Sequence, residues 1–384
     1  MARHRKTTSL APGAAENRER LEALGAVAGE FNDWRPQAEV LRHVEAVPSE
    51  FVQYDRATGV GGHPIGRFVL AHGPSNEGKT AFCLGLGRSF LARGHFFGMV
   101  DAERTTPQPW VRDMLGALAD HPAFVALPAR SYEQIRKGVR HLCDRVAAAR
   151  ELGRLPPDTT GLIVIDSIRK LVPEKLWKNL IASLKSNDPK KDKGIDGFGG
   201  RAGQMKAALN AAWVDELIPL LADTRMAMVV IARETKDDAP ASSLFAPSRD
   251  YKVGGGGALF YEASLDVRAT RDWVYEGDGN DRRLVGERCC LEIHKTKVAG
   301  KTVKVPRAYF HTSNGVDAPP GFDPARDLLE LGVELGVIKL KGSSYSVGGK
   351  SLGQGKAKAL LRLRESDRFR NVDAEVRRVF GGKA

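Results

Sequence analysis

No run of apolar residues in this 384-residue chain reaches the roughly 18 that a membrane-spanning helix needs. The basic opening Met1-Ala2-Arg3-His4-Arg5-Lys6 is followed by no apolar segment, so a secretory leader is not expected. Cysteine is scarce: Cys83, Cys143, Cys289 and Cys290 show no metal-ligand spacing. The adjacent pair has Cα atoms about 3.8 Å apart, closer than a disulfide ordinarily spans, and reads as two small strand residues. Reduced thiols without an export or membrane signal give the expectation of a cytoplasmic protein.

Negative charge is also in short supply. Asp and Glu number 47 against 59 Lys and Arg, a net charge of +12. A surplus of this size favours a polyanionic partner, because each neutralised phosphate releases condensed counterions; plain solubility is the alternative. At 42% hydrophobic the chain can build a sizeable core, and its length suits one large domain with one or two small ones.

Residues 14–31 place Leu21, Leu24, Ala28 and Phe31 on one helical face that needs a partner, its own core or a neighbouring subunit. Strand-like runs Phe68–His72, Phe96–Val100, Leu162–Ile165 and Met226–Ala232 then alternate with helical stretches, the pattern of a mostly parallel sheet with helices on both faces. Two polar stretches, about 184–204 and 236–257, are too long for ordinary connectors. After Pro319-Pro320-Gly321 the composition changes, and 321–384 reads as a small domain with thirteen Lys/Arg against eight Asp/Glu. The expected divisions are 1–50, 51–320 and 321–384.

Gly73-Pro74-Ser75-Asn76-Glu77-Gly78-Lys79-Thr80 is a complete G-x-x-x-x-G-K-[ST] phosphate loop between a strand and a helix. Its backbone N–H groups converge on phosphate oxygens, Lys79 reaches the β/γ-phosphates, and the Thr80 hydroxyl ligates Mg²⁺. ATP and Mg²⁺ are the expected cofactors. Leu162-Ile163-Val164-Ile165-Asp166 is an apolar strand ending in a carboxylate, suited to holding Mg²⁺ through Asp166. Glu103, just past another strand in Asp101-Ala102-Glu103, can orient and deprotonate a water; a solvated loop acid is the alternative.

On these residues the chain resembles the bacterial RecA recombinase family, over roughly 50–380. Gly61-Gly62-His63-Pro64-Ile65-Gly66-Arg67 is similar to the segment before that family's phosphate loop. The resemblance implies Glu103 as catalytic base and Trp110 against the adenine, with Pro107 replacing an acidic residue. His294-Lys295-Thr296-Lys297 resembles a K-x-K whose lysines, Lys295 and Lys297, cross the subunit interface to a neighbour's γ-phosphate; alone they read as a solvated edge. Glu234 stands where relatives carry a γ-phosphate-sensing Gln, and a carboxylate beside phosphate is repulsive unless Mg²⁺ or lysine offsets it.

The two long stretches correspond to the family's DNA-binding loops. In the first, Phe198, Gly199, Gly200 and Arg201 supply an aromatic, open N–H groups and charge, with Lys206 following on a helix. In the second, Lys236, Phe245 and Gly254-Gly255-Gly256-Gly257 do the same; a flexible linker is the alternative for the glycine run. Leu331-Gly332-Val333, Gly342-Ser343-Ser344-Tyr345-Ser346 and Gly353-Gln354-Gly355-Lys356-Ala357-Lys358 resemble the family's C-terminal domain, implying duplex-DNA gathering by Lys356 and Lys358.

The expected fold is thus α/β: a RecA-like P-loop ATPase core with a mostly parallel central sheet, an N-terminal helical oligomerisation segment and a small α+β C-terminal domain. The expected function is an ATP-dependent homologous recombinase that forms filaments on single-stranded DNA and exchanges strands with double-stranded DNA. The alternative is a RecA-like DNA-binding ATPase or regulatory paralogue without strand exchange. A hexameric helicase would lack such a C-terminal domain.

Overall fold

A computed structural model describes residues 44–129, 131–178, 199–236, 251–277, 279–299 and 306–381, together with Glu22 and Ala26, both helical. The chain divides into two compact units, Met1–Val44 and Glu45–Ala384. Apart from Glu22 and Ala26, the amphipathic helix expected over 14–31 lies outside the described residues.

The second unit is organised by a nine-stranded sheet. In spatial order its strands are Gly321–Phe322, Arg307–Ser313, Arg283–Thr296, Leu265–Glu276, Phe68–His72, Ala227–Ile231, Gly161–Asp166, Phe96–Asp101 and Phe124–Ala126. The six from Leu265–Glu276 to Phe124–Ala126 run parallel. The remaining three pair antiparallel on one side.

The apolar runs are continuous because both faces of the parallel strands are covered. Val69, Ala71, Leu162, Val164, Val229 and Ile231 pack on one face, against the helix Lys79–Leu91. Phe68, Leu70, Ile163, Ile165, Met228 and Val230 pack on the other, against the helices Tyr132–Glu151 and Gly199–Thr224. Three layers result. The parallel strands also end together: His72 lies opposite Arg268, and Asp101 opposite Asp166. Ligands of such sheets bind outside the carboxyl ends of the strands.

The last segment has its own small core. The helix Pro324–Glu334, the three-stranded antiparallel sheet Ile338–Lys341, Ser344–Val347 and Lys350–Gln354, and the helices Lys356–Leu363 and Ser366–Gly381 enclose Leu328, Leu331, Leu352, Leu360 and Val376. Val52, on the helix Val52–Thr58 that precedes the phosphate-loop strand, is part of the same cluster. Beside it Arg377 Nη1 lies 2.6 Å from Asp55 Oδ2, and Arg377 Nη2 donates to Ser49 O at 2.8 Å. Asp55 is fully buried, and burial pushes its carboxyl up to about 6 although Arg377 opposes the shift.

Candidate active site

The phosphate loop joins Phe68–His72 to the helix Lys79–Leu91. Two of its glycines are sterically required. Gly73 has φ 146°, and a Cβ there would stand 2.3 Å from Ala269 O. Gly78 has φ 79°, and its Cβ would stand 2.4 Å from Cys289 Sγ. No side chain fits under the loop at either point. The adjacent cysteines are free thiols on a strand, Cys289 buried and Cys290 partly so.

Lys79 Nζ donates to Gly73 O at 3.1 Å and to Pro74 O. Burial lowers its pKa, opposed by the charges of Asp166, Glu234 and Glu77. Thr80 Oγ1 donates to Asp166 Oδ2 at 2.6 Å. Asp166 is pushed up to about 6, chiefly by burial against the Thr80 hydrogen bond, with Glu103 and Asp101 adding like charge. The hydroxyl and carboxylate oxygens thus sit side by side at the head of the helix, a hard-oxygen pair that suits Mg²⁺ completed by phosphate oxygens and water. Among the described residues no cluster of three or more His, Cys, Asp or Glu could hold a metal alone.

Glu103 is tied to the same place. Its N–H and that of Ala102 donate to Asp166 O at 3.3 and 2.6 Å, and its Oε1 accepts from Ser167 Oγ at 2.6 Å. Asp101 accepts from the N–H groups of Arg104 and Thr106 at 2.7 and 3.1 Å, fixing the turn that leads away from the strand. Glu103, Asp166, Lys79, Thr80 and Trp110 all line one cleft of about 490 Å³, within the range of small-ligand sites.

Arg271 and Glu287 complete the wall and were not singled out by the sequence. The Arg271 N–H donates to Glu77 Oε2 at 2.5 Å, and its guanidinium donates to Glu287 Oε1 at 2.7 Å. The alternation of buried Leu265, Val267 and Ala269 with polar neighbours is a period-two signal that marks this strand.

Neither lysine of the K-x-K lines this cleft. Lys295 Nζ donates to Phe260 O at 2.9 Å and to Tyr261 O, while Lys297 Nζ lies 3.3 Å from Glu262 Oε2. Glu234 accepts from both sides: His72 Nδ1 is 2.7 Å from its Oε1, and Arg268 donates Nε to Oε1 at 2.9 Å and Nη2 to Oε2 at 3.2 Å. Burial works to raise Glu234, but the His72 and Arg268 hydrogen bonds outweigh it and hold the carboxyl below its usual range.

Of the residues assigned to DNA loops, Phe198 and Phe245 lie outside the described residues. Gly199, Gly200 and Arg201 begin the helix Gly199–Thr224, so the helix starts earlier than a loop to 204 implies. The N–H groups of its first turn have no intrahelical partner in any helix. Lys236 ends a strand, Glu234–Lys236, that pairs antiparallel with Tyr251–Val253 and so draws the ends of the second long stretch together. Gly254 N–H donates to Arg233 O at 3.0 Å, and the fully buried Asn210 donates through Nδ2 to Gly255 O. Gly256 approaches Ala207 closely enough that a Cβ would stand 3.1 Å from the Ala207 Cβ. The helix after the first long stretch therefore braces the end of the second. Lys206, on that helix, donates to Arg169 O at 3.2 Å. Lys356 and Lys358 are exposed, the former 3.2 Å from Glu330 Oε1.

Among the described residues no helix is long and apolar enough to cross a membrane. Family models describe the RecA N-terminal domain, matching residues 35–181, and the RecA C-terminal domain, matching 326–381. Curated relatives carry the name Protein RecA. That of Chlorobium limicola is 27% identical over 349 residues, 90% of this chain and 85% of the relative. That of Lactococcus lactis subsp. cremoris is 26% identical over 385 residues, 96% of this chain and 85% of the relative. That of Thermus thermophilus is 29% identical over 329 residues, 84% of this chain and 82% of the relative.

Proposed function

Because the chain belongs to the RecA family, we propose that it is an ATP-dependent homologous recombinase that assembles on single-stranded DNA and pairs it with duplex. The observation that carries this reading is the convergence of Lys79, Thr80, Asp166 and Glu103 on one cleft, in a chain that also carries a basic C-terminal segment.

In the proposed reaction Lys79 exchanges the neutral carbonyl acceptors of Gly73 and Pro74 for anionic phosphate oxygens, so that both donor and acceptor are ionised. Thr80 and Asp166 are the residues that would hold Mg²⁺, which when bound would offset the charge of the β- and γ-phosphates. Glu103, oriented by the Ser167 hydroxyl, takes a proton from the water whose oxygen bonds to the γ-phosphorus as the bond to the β-phosphate oxygen breaks. Trp110 stacks on the base at the cleft wall. Lys295 and Lys297 act on the γ-phosphate of an adjacent subunit, supplying positive charge to the transition state in trans. Phe198, Gly199, Gly200, Arg201, Lys206, Lys236, Phe245 and Gly254–Gly256 form the primary DNA site, and Lys356 and Lys358 gather duplex.

One observation favours a second reading, a DNA-binding ATPase or regulatory paralogue without strand exchange. Glu234, at the position of the family's phosphate-sensing Gln, is engaged by His72 and Arg268. A D-loop assay with ATP and with a slowly hydrolysed analogue separates the two. Joint molecules with either nucleotide support the recombinase; DNA-stimulated hydrolysis without joint molecules supports the paralogue.

A further inference from the structure

Directly behind the phosphate loop lies a charged cluster that the reaction above does not use. His72 is the residue before Gly73, and its side chain is fully buried. Its Nδ1 meets Glu234 Oε1 at 2.7 Å, and its Nε2 lies 2.9 Å from Asp266 Oδ1, a close charge contact. Both carboxylates are themselves buried, with 5% and 0% of their side chains exposed. Three ionisable groups with almost no access to water cost a great deal unless their charges and protons match.

We infer that His72 is a positioning residue: held between Asp266 and Glu234, it fixes the Glu234 carboxylate, and with it the strand Glu234–Lys236 that leads from the nucleotide cleft into the second long stretch. This deepens the proposed function and rests on its assignment of that stretch to DNA.

The geometry selects a protonation state. A neutral imidazole carries one N–H and one lone pair, so one of the two carboxylates would face a lone pair at less than 3 Å. Only the imidazolium carries a proton on both ring nitrogens, so that neither carboxylate faces a lone pair; the bond to Glu234 has hydrogen-bond geometry, while the approach to Asp266 is a charge contact. Two negative groups and the cation of His72 leave one negative charge, which the Arg268 fork meets at Glu234. Burial alone would lower the His72 pKa, but Asp266 and Glu234 outweigh it and raise it. Among the described residues, other groups also face this cluster: Glu292 Oε2 lies 3.8 Å from Arg268 Nη1. The Tyr251 ring lies 5.7 Å from His72, and the His294 ring lies 6.2 Å away with its Nε2 3.5 Å from Glu292. The Lys79 ammonium feels the Glu234 charge from the cleft side.

The same cluster reaches both functional regions. The Glu234 N–H donates to Gly73 O at 3.3 Å, so the strand is stitched to the first residue of the phosphate loop. On the other side the Arg268 guanidinium lies 4.8 Å from the centre of the Tyr251 ring, and Tyr251 is paired with Lys236 across the mouth of the second long stretch. Loss of the imidazolium would remove the cation between Glu234 and Asp266 and leave Arg268 alone to hold Glu234, which would let Glu234 turn toward Lys79 or shift its strand.

The test combines His72→Gln, Glu234→Gln and the double variant. Side-chain NMR of histidine-labelled wild type is read first, without DNA. The His72 signal is expected to titrate above the ordinary value of about 6.5 and to fall in Glu234→Gln. A His72 that titrates at or below the ordinary value, or that ignores Glu234→Gln, overturns the clamp even if His72→Gln does not fold. In the second arm, single-stranded DNA stimulates ATP hydrolysis over roughly pH 6–9, across the range in which a raised histidine loses its proton. His72→Gln is expected to lose at least about tenfold in DNA-stimulated turnover, about 1.4 kcal/mol, with nucleotide affinity changed far less. The double variant, in which a neutral amide replaces the Glu234 carboxylate and only Asp266 remains charged, is expected to recover most of the way to the level of Glu234→Gln. Wild-type stimulation should decline toward the alkaline end, and a flat profile counts against the coupling. A double variant as impaired as His72→Gln, with Glu234→Gln active, overturns it too. A wild type with no DNA stimulation but a clamped His72 instead removes the functional reading and leaves the clamp standing.

Discussion

Thr80 and Asp166, 86 positions apart in sequence, are joined by a hydrogen bond of 2.6 Å at the head of the helix that follows the phosphate loop. That bond places a buried carboxylate where the proposed cation would sit, and the burial has a measurable cost. Asp166 holds its proton up to about pH 6 in the folded chain, whereas an unfolded aspartate releases it near about 3.9. The unfolded chain thus loses this proton first as pH rises. The contribution of Asp166 to stability is full below about pH 4, declines through about pH 6 and stays lowered above. Asp166→Asn is expected to be more stable than wild type by on the order of 2–3 kcal/mol at pH 8 and equal to it at pH 4. Urea melts at both pH values check this, and the same variant should lose Mg²⁺-dependent nucleotide binding. Equal midpoints at pH 8 would contradict the account.

Lys79→Ala is expected to abolish ATP binding, and Glu103→Ala to keep binding while losing turnover. Fluorescent-nucleotide titration and phosphate release measure the two separately. Hydrolysis within about tenfold of wild type in Glu103→Ala, only about 1.4 kcal/mol in barrier, would remove Glu103 as the base.

Lys295→Ala and Lys297→Ala should lose DNA-stimulated hydrolysis and retain nucleotide binding, since neither lysine lines the cleft of its own chain. Mixed with Lys79→Ala subunits, Lys297→Ala should recover part of its activity, because random co-assembly leaves some interfaces with an intact loop facing an intact lysine. No recovery at any ratio would weaken action in trans.

Deleting everything after Pro320 would strip Val52 of its apolar neighbours and Asp55 of Arg377. Such a truncation would report instability along with any DNA effect. Arg377→Ala alone should destabilise by about 3 kcal/mol, the usual consequence of orphaning a buried charge. Duplex capture is better tested with Lys356→Ala plus Lys358→Ala, both exposed, which should fold normally and lose duplex binding. Phe245→Ala should weaken single-strand binding by roughly ten- to a hundredfold, and Lys206→Ala should lower the salt slope by about one. Single-strand binding lost in the Lys356/Lys358 variant and kept in Phe245→Ala would move the primary site to the C-terminal segment.

Four of the six parallel strands were legible because they are apolar on both faces. Phe68–His72 is read to the residue, and Phe96–Asp101 and Gly161–Asp166 within one. The phosphate loop was legible for a different reason, since its backbone tolerates few residue types. The strands Leu265–Glu276 and Arg283–Thr296, which pair antiparallel with each other, escaped notice because they form no continuous apolar run: the first alternates apolar and charged residues, a weaker signal than the runs of the central strands. With them went Arg268, Arg271 and Glu287, whose roles depend on cross-strand register. His72 was visible only as the last letter of a strand, because its partners lie 162 and 194 positions away and nothing local announces them. The family matches stop at 181 and resume at 326, so Glu234, the K-x-K and the second long stretch fall between them.

Cys289 lies directly beneath Gly78 with no exposed surface, and burial pushes its thiol far above the ordinary range. A thiol in that state does not react with alkylating reagents while the loop is seated. The molecule therefore carries its own stopwatch. The rate at which Cys289 is trapped counts how often the floor of the nucleotide cleft lifts, and nucleotide that steadies the loop should slow that count.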